Sequence, residues 1–428
     1  MGLLLTGCAG TDGEQTEDGQ GPGASATQDG ASGSGGTGEG DTGATASTSG
    51  QASEAADQAE ASASMDPADF PASNTTELTH LETIEDPGLS SKSVVSNQHG
   101  LMITNNMMYR HNVMLFDTRT REVVQTLEDT VDTDAMGIDG LSGVVSGSPV
   151  EAVWTQDGKY AYVSNYQLTG GEGTGTKPDD NCTAGSAIAP SLVYRYSVED
   201  EDWDAAYRVG RVPKYVSLSP DDSRLLVSNW CDDTLSVVDT GSGEIEHTVP
   251  LDTMPRGSVV LPDNKTAYVV AMWADKLFRV DLETGTAELV MRTDPQPRHL
   301  TLSPDGKTLY MTVAGADEIV KLDAATGEVL ASAPAGDEPR SMDISADGTA
   351  LYVVNYHAST VTKIDAETLE ILDTAPAGVN TIGVTYDDPT GQVWVANYDG
   401  TLDVYDDTDG VGPAAEGSAQ PSTDTAGN

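Results

Sequence analysis

The chain has 428 residues, 45 of them glycine, with 5% aromatic residues and three cysteines. That is enough length for one large domain or two to three ordinary ones, and it favours turn-rich β structure over a helical bundle or a disulfide scaffold. Acidic residues outnumber basic ones 69 to 21, for a formal charge of -48, which excludes a general affinity for nucleic acid or for an anionic membrane face.

The first segment reads Met1-Gly2-Leu3-Leu4-Leu5-Thr6-Gly7-Cys8. Leu5-Thr6-Gly7-Cys8 resembles a bacterial lipobox, in which small residues admit the signal peptidase and the cysteine receives the lipid. The basic and long apolar regions of a full signal are missing, and a start further upstream would account for them. Residues 9–70 are almost wholly Gly, Ala, Ser, Thr, Asp, Glu and Gln. Such a segment buries too little apolar surface to fold and is expected to be a disordered, acidic tether. Residues 1–70 carry 12 acids and no base, and the acidic tail 407–428 adds four acids and no base. The remaining residues, 71–406, hold 53 acids and all 21 bases, a net of -32, so the folded part is acidic in its own right.

Self-similarity governs that folded part. Pro213, Pro255, Pro297 and Pro339 recur every 42 residues, and so do Asp239, Asp281, Asp323 and Asp365. Each unit has the same parts: an alternating strand after the proline, a turn such as Pro304-Asp305-Gly306, and a β-rich strand such as Leu351–Asn355. A third strand then ends in the aspartate, and a Thr-Gly-type turn leads to a fourth. Four short antiparallel strands per repeat of about 40 residues specify a β-propeller blade. Lys92–Leu127 and Pro149–Gly210 supply two earlier blades, the second with an insertion at Gln167–Pro190. Asn380–Asp406 supplies three strands of a last blade, and Glu77–Thr83 is predicted to complete it. The expected fold is therefore all-β, a seven-bladed propeller whose ring is closed by an N-terminal strand, which removes an exposed edge.

Tyr162-Val163-Ser164-Asn165-Tyr166, Leu226-Val227-Ser228-Asn229-Trp230, Tyr352-Val353-Val354-Asn355-Tyr356 and Trp394-Val395-Ala396-Asn397-Tyr398 look like the YVTN motif. Ser303–Tyr310 and Asp323–Val329 match the same repeat. Over roughly residues 75–406 the chain thus resembles the YVTN-repeat (YncE-like, surface-layer-type) propellers. The resemblance is specific for fold and says little about function. Blades four and five depart from the motif at Val270-Ala271-Met272-Trp273 and Thr312-Val313-Ala314-Gly315, so a role of the Asn–aromatic pair, as at Asn229-Trp230, would be missing there.

Lys214, Arg256, Arg298 and Arg340 each follow a blade-entry proline, on the face where the strand 4–1 and 2–3 loops surround the channel mouth. A basic arc on an acidic body focuses a small anion, with His299 and His357 as further candidates. The structural alternative is local pairing with Asp275, Asp317 or Glu338. The 42-spaced aspartates are expected to serve Asx-turns. Cys182, in the insertion, and Cys231 lie in equivalent loops of adjacent blades, and an exported chain is expected to bridge them. No metal-ligand spacing, nucleophile elbow, haem motif or phosphate loop is present, so no cofactor or metal is implied.

The preferred functional expectation is a lipid-anchored, monomeric, non-enzymatic module on the outer side of the cell envelope. It would bind a small anion, a polymer or an envelope protein on its loop face, with the membrane engaged only through the lipid on Cys8. The alternative is a propeller hydrolase, lactonase-like or metal-dependent, using Arg256, Arg298, Arg340, His299 and His357 at the channel mouth. DNA binding ranks third, against a net charge of -32 on the ring.

Overall fold

A computed structural model describes residues 70–73 and 76–408. Cys8, the tether and residues 409–428 lie outside the described residues. Seven four-stranded antiparallel sheets follow one another around a central channel. Their innermost strands are Ser93–Ser96, Pro149–Trp154, Pro213–Leu218, Pro255–Val260, Pro297–Leu302, Pro339–Ile344 and Thr381–Asp387, which begin blades one to seven. Apolar side chains from facing sheets fill the space between blades. Tyr268 and Val270 of blade four, for example, meet Leu309 and Met311 of blade five. Gly257 keeps two inner strands close, because a Cβ there would stand 2.7 Å from the Arg298 carbonyl oxygen.

The closing strand is Thr79–Glu85 and pairs with Thr401–Asp406 of blade seven. It begins two residues later than Glu77–Thr83 predicts. Leu78 is instead buried between blades six and seven, and its N–H donates to Asp373 (2.8 Å). The bounds differ because the outer strand is exposed on most of its length and carries little alternation to mark them. A hairpin, Thr130–Asp132 with Val144–Ser146, lies between blades one and two and was not foreseen. The insertion after strand Tyr160–Asn165 bridges to this region through Ser146–Thr169 and Ser142–Glu172. Cys182 and Cys231 are joined by a disulfide, with a Cα–Cα distance of 5.5 Å.

The aspartates that end the third strands do serve turns. Asp323 accepts from the N–H and hydroxyl of Thr326, and Asp365 does the same for Thr368, each at 2.7–2.9 Å.

Candidate functional site

Two local devices repeat at the start of the inner strands. The residue before the entry position is left-handed in five blades: Val212, Met254, Gln296, Glu338 and Asn380 have φ between 56° and 61°. This unusual conformation for non-glycine residues turns a carbonyl towards the strand 2–3 loop. There it accepts the N–H of Trp230, Met272, Ala314, Tyr356 or Tyr398 respectively. The second device is a bulge. Pairing slips between Pro213 and Tyr215, Pro297 and His299, and Pro339 and Ser341, so the residue after the proline is left out of the ladder. A bulge re-aims a side chain, and these bulged residues are Lys214, Arg298 and Arg340. Arg256 lies in the corresponding slip between Pro255 and Ser258.

The bases therefore converge on the channel mouth. A cavity of roughly 330 Å³ runs down the channel, bordered at this end by Lys92, Arg256, Arg298 and Arg340. Lys92 precedes the inner strand of blade one and stands where Lys214 stands in blade three. Sequence reasoning missed it because Ser91 replaces the marker proline.

The five bases are not equivalent. Lys92 donates to the Tyr398 hydroxyl and lies 4.7 Å from that ring's centroid. Lys214 lies 3.9 Å from the Trp230 centroid and pairs with Asp180 at 2.5 Å. Arg340 stacks 3.3 Å from the Tyr356 centroid and pairs with Glu338 at 2.6 Å. These rings are the aromatic residues of the repeated motif, so the motif supplies cation–π platforms. Blades four and five lack them: Met272 and Ala314 stand in the aromatic position. There Arg256 and Arg298 make no ion pair among the described residues, and Arg298 Nε is buried with no hydrogen-bond partner. Asp275 and Asp317, the partners that local pairing would require, accept instead from the N–H groups of Gln296 and Glu338.

The electrostatics follow from this crowding. Burial and then the charges of Arg340 and Arg256 push the Arg298 guanidinium well below its ordinary value. Lys92 is driven down by burial and by the four other bases. His299 is held near 3 by burial, Arg256 and Arg298, so it is neutral at physiological pH. Burial raises Glu151, one position deeper on blade two, to about 7 against the opposing pull of Arg256. Buried like charges without partners are costly, and an anion entering the mouth relieves that cost.

Several candidates are placed differently from expectation. His357 does not border the cavity; its ring lies at the rim, 3.1 Å from Glu338. Asn229 is fully buried and structural. Its Nδ2 donates to Ser236 (2.9 Å) and Thr234, and its Oδ1 accepts from the Gly210 N–H. Trp230 is 3% exposed and donates to the Asp180 carbonyl, so it is a platform for Lys214 and not an open contact surface. Tyr166 and Tyr398 were visible as motif aromatics, but their roles were not, and Glu151 and Asp180 carried no sequence signal, because the bases they meet belong to other blades. A Ser148–His111–Asp129 cluster near the rim is not a catalytic relay: both partners approach Nδ1, at 3.0 and 3.7 Å.

The fold and this mouth define a seven-bladed β-propeller with a cationic channel entrance. Residues 253–372, which span nearly all of blades four to six, match the family model described as "Lactonase, 7-bladed beta-propeller". Among solved structures the chain is similar to Kuenenia stuttgartiensis hydrazine synthase, with a TM-score of 0.57 and 18% identity. That likeness covers 75% of this chain and 96% of the other, and at such identity it concerns the fold alone. No curated protein matches the chain.

Proposed function

We propose that the protein is a binding module that takes a small anion into its channel mouth. The observation that carries this reading is the pair Arg256 and Arg298. Both are buried against the cavity, and among the described residues neither forms an ion pair or stacks on an aromatic ring. Guanidinium groups left in this way suit bidentate recognition of carboxylate or phosphate. The net charge of -32 on residues 71–406 repels most polyanions, so selection favours ligands small enough to reach the arginines. With the lipobox-like Cys8 and the tether, the module would stand on the outer face of the cell envelope.

Titration calorimetry with a panel of small anions tests the reading. Arg298→Ala or Arg256→Ala should weaken binding by about tenfold or more, the order expected for a lost charged hydrogen bond of roughly 1.5–3 kcal/mol. Unchanged affinity in both variants would refute the site.

A second reading is favoured by the lactonase match, whose span contains Arg256, Arg298, His299 and Arg340. In a hydrolase the arginines would hold the substrate's anion. Glu151, raised to about 7, is then the group with the proton affinity a general base needs. Sugar-lactone hydrolysis lost in Glu151→Gln with anion affinity retained would identify an enzyme.

A further inference from the structure

The insertion of blade two places a carboxylate over the mouth that belongs to the protein itself. Asp180 accepts from Lys214 (2.5 Å) and from the Tyr166 hydroxyl (3.0 Å), while its carbonyl accepts the Trp230 indole N–H (2.8 Å). Two residues on, Cys182 is tied to Cys231 of blade three. Arg211 also grips the insertion, donating to the Gly185 carbonyl at 2.7 Å. Although desolvation opposes the charge, Lys214 keeps Asp180 ionised, below the ordinary carboxylate range. Lys92, Arg256, Arg298 and Arg340 border the cavity, and Lys214, held against Asp180 and Trp230, does not.

We propose that Asp180 is the residue that fixes the charge of the ligand, by neutralising Lys214 so that the mouth accepts a dianion in preference to a trianion. This rests on the anion-binding reading given above. With Lys92 and Lys214 protonated, the state a bound anion favours, five bases at the mouth meet two carboxylates that pair with them, Asp180 and Glu338, which leaves an excess of three positive charges. Glu151, facing Arg256 and Lys92 from one position deeper, lowers the excess to two once ionised. Asp343 lies three positions further down its strand than Arg340, roughly 10 Å along the channel at the usual rise per residue. Its carboxylate is taken by the Tyr386 N–H (2.9 Å) and the Thr385 hydroxyl (3.0 Å). In a narrow, partly dry site, one uncompensated charge changes affinity by an order of magnitude or more. Burial lowers Lys214 to about 8 even beside Asp180, so once the Asp180 carboxylate is removed it is the entering ligand that holds the proton on Lys214, and the preferred ligand charge rises by one. Opening the disulfide loosens the same carboxylate and acts in the same direction.

The test is calorimetry at about pH 8, where Glu151 is ionised, with acetate, succinate and tricarballylate as ligands of one, two and three carboxylates. The native chain should bind succinate more tightly than either of the others. Asp180→Asn should raise tricarballylate affinity by about tenfold, corresponding to about 1.4 kcal/mol, and change acetate affinity far less. Adding Lys214→Met to that variant should restore the native order, a result that simple loosening of the insertion does not give. The Cys182→Ser, Cys231→Ser double variant should shift in the direction of Asp180→Asn. If binding depends on Arg298 but the order of the three ligands is the same in all variants, the role of Asp180 is refuted and the site stands. If no ligand binds and Arg298→Ala changes nothing, the site fails and this proposal falls with it.

Discussion

Among single residues, the most informative is Glu151, a carboxyl inside a cationic channel whose burial outweighs its attraction to Arg256 and lifts it to about 7. A raised carboxyl is protonated in the folded chain at a pH where the unfolded chain has already lost the proton. Its stabilising share is complete below about pH 4.5 and declines as pH rises towards 7. Glu151→Gln imitates the protonated form. It should match the native chain in urea denaturation at about pH 4 and exceed it by about 1–2 kcal/mol at about pH 8, a figure reduced from the full shift because channel water screens the charge. Equal stability at both pH values would refute the assignment. An anion at the mouth favours the protonated form for the same reason, so its binding should tighten as pH falls from about 8 to 6.

At the level of elements, the ring is locked where its two ends meet. Lys363 of blade six and Asp407, just beyond the last strand, form an ion pair with both side chains fully buried. Asp407 also accepts from the hydroxyls of Tyr352 and Ser73, which bring blade six and the N-terminal segment to the same carboxylate. Breaking a buried pair on one side strands the other charge. Lys363→Met should therefore cost about 3–5 kcal/mol in denaturant unfolding, whereas Lys363→Met with Asp407→Leu should cost markedly less. A single variant with native stability would show that the pair does not lock the ring. The other distinctive element is the disulfide-tied insertion of blade two. Its position over Lys214 follows from the Cys182–Cys231 link and from Asp180, which is 34 residues from its partner in the chain.

For the whole molecule, charge is arranged in two opposed zones. Residues 71–406 carry a net of -32, while the five bases at the mouth crowd one another. Like-charge repulsion over the outer surface weakens the compact state and is screened by salt, since the Debye length falls from about 10 Å at 0.1 M to about 3 Å at 1 M. Raising sodium chloride across that range should increase the melting temperature and at the same time weaken anion binding at the mouth. A melting temperature that falls with salt would show that attractive pairs, not net repulsion, dominate the ring.

The seven blades, the entry prolines, the turns and the place of four bases on one face are all legible in the amino-acid order. In blades three to six the unit is 42 residues long, and repetition makes a local pattern legible several times over. Even there, the closing strand was misplaced by two residues, because an exposed outer strand offers little hydrophobic alternation to mark its bounds. Which of the bases are open to a ligand depends on contacts between blades that no local pattern records. Lys92 meets Tyr398 across 306 residues, Glu151 faces Arg256 from another blade, and Asp180 covers Lys214 from an insertion outside the repeat. The reason is geometric. A propeller sets residues of equivalent rank around one axis, so the partners that cover or expose a charge come from neighbouring blades. The motif's missing aromatics in blades four and five read in the sequence as mere departures; around the channel they are what leaves Arg256 and Arg298 uncovered.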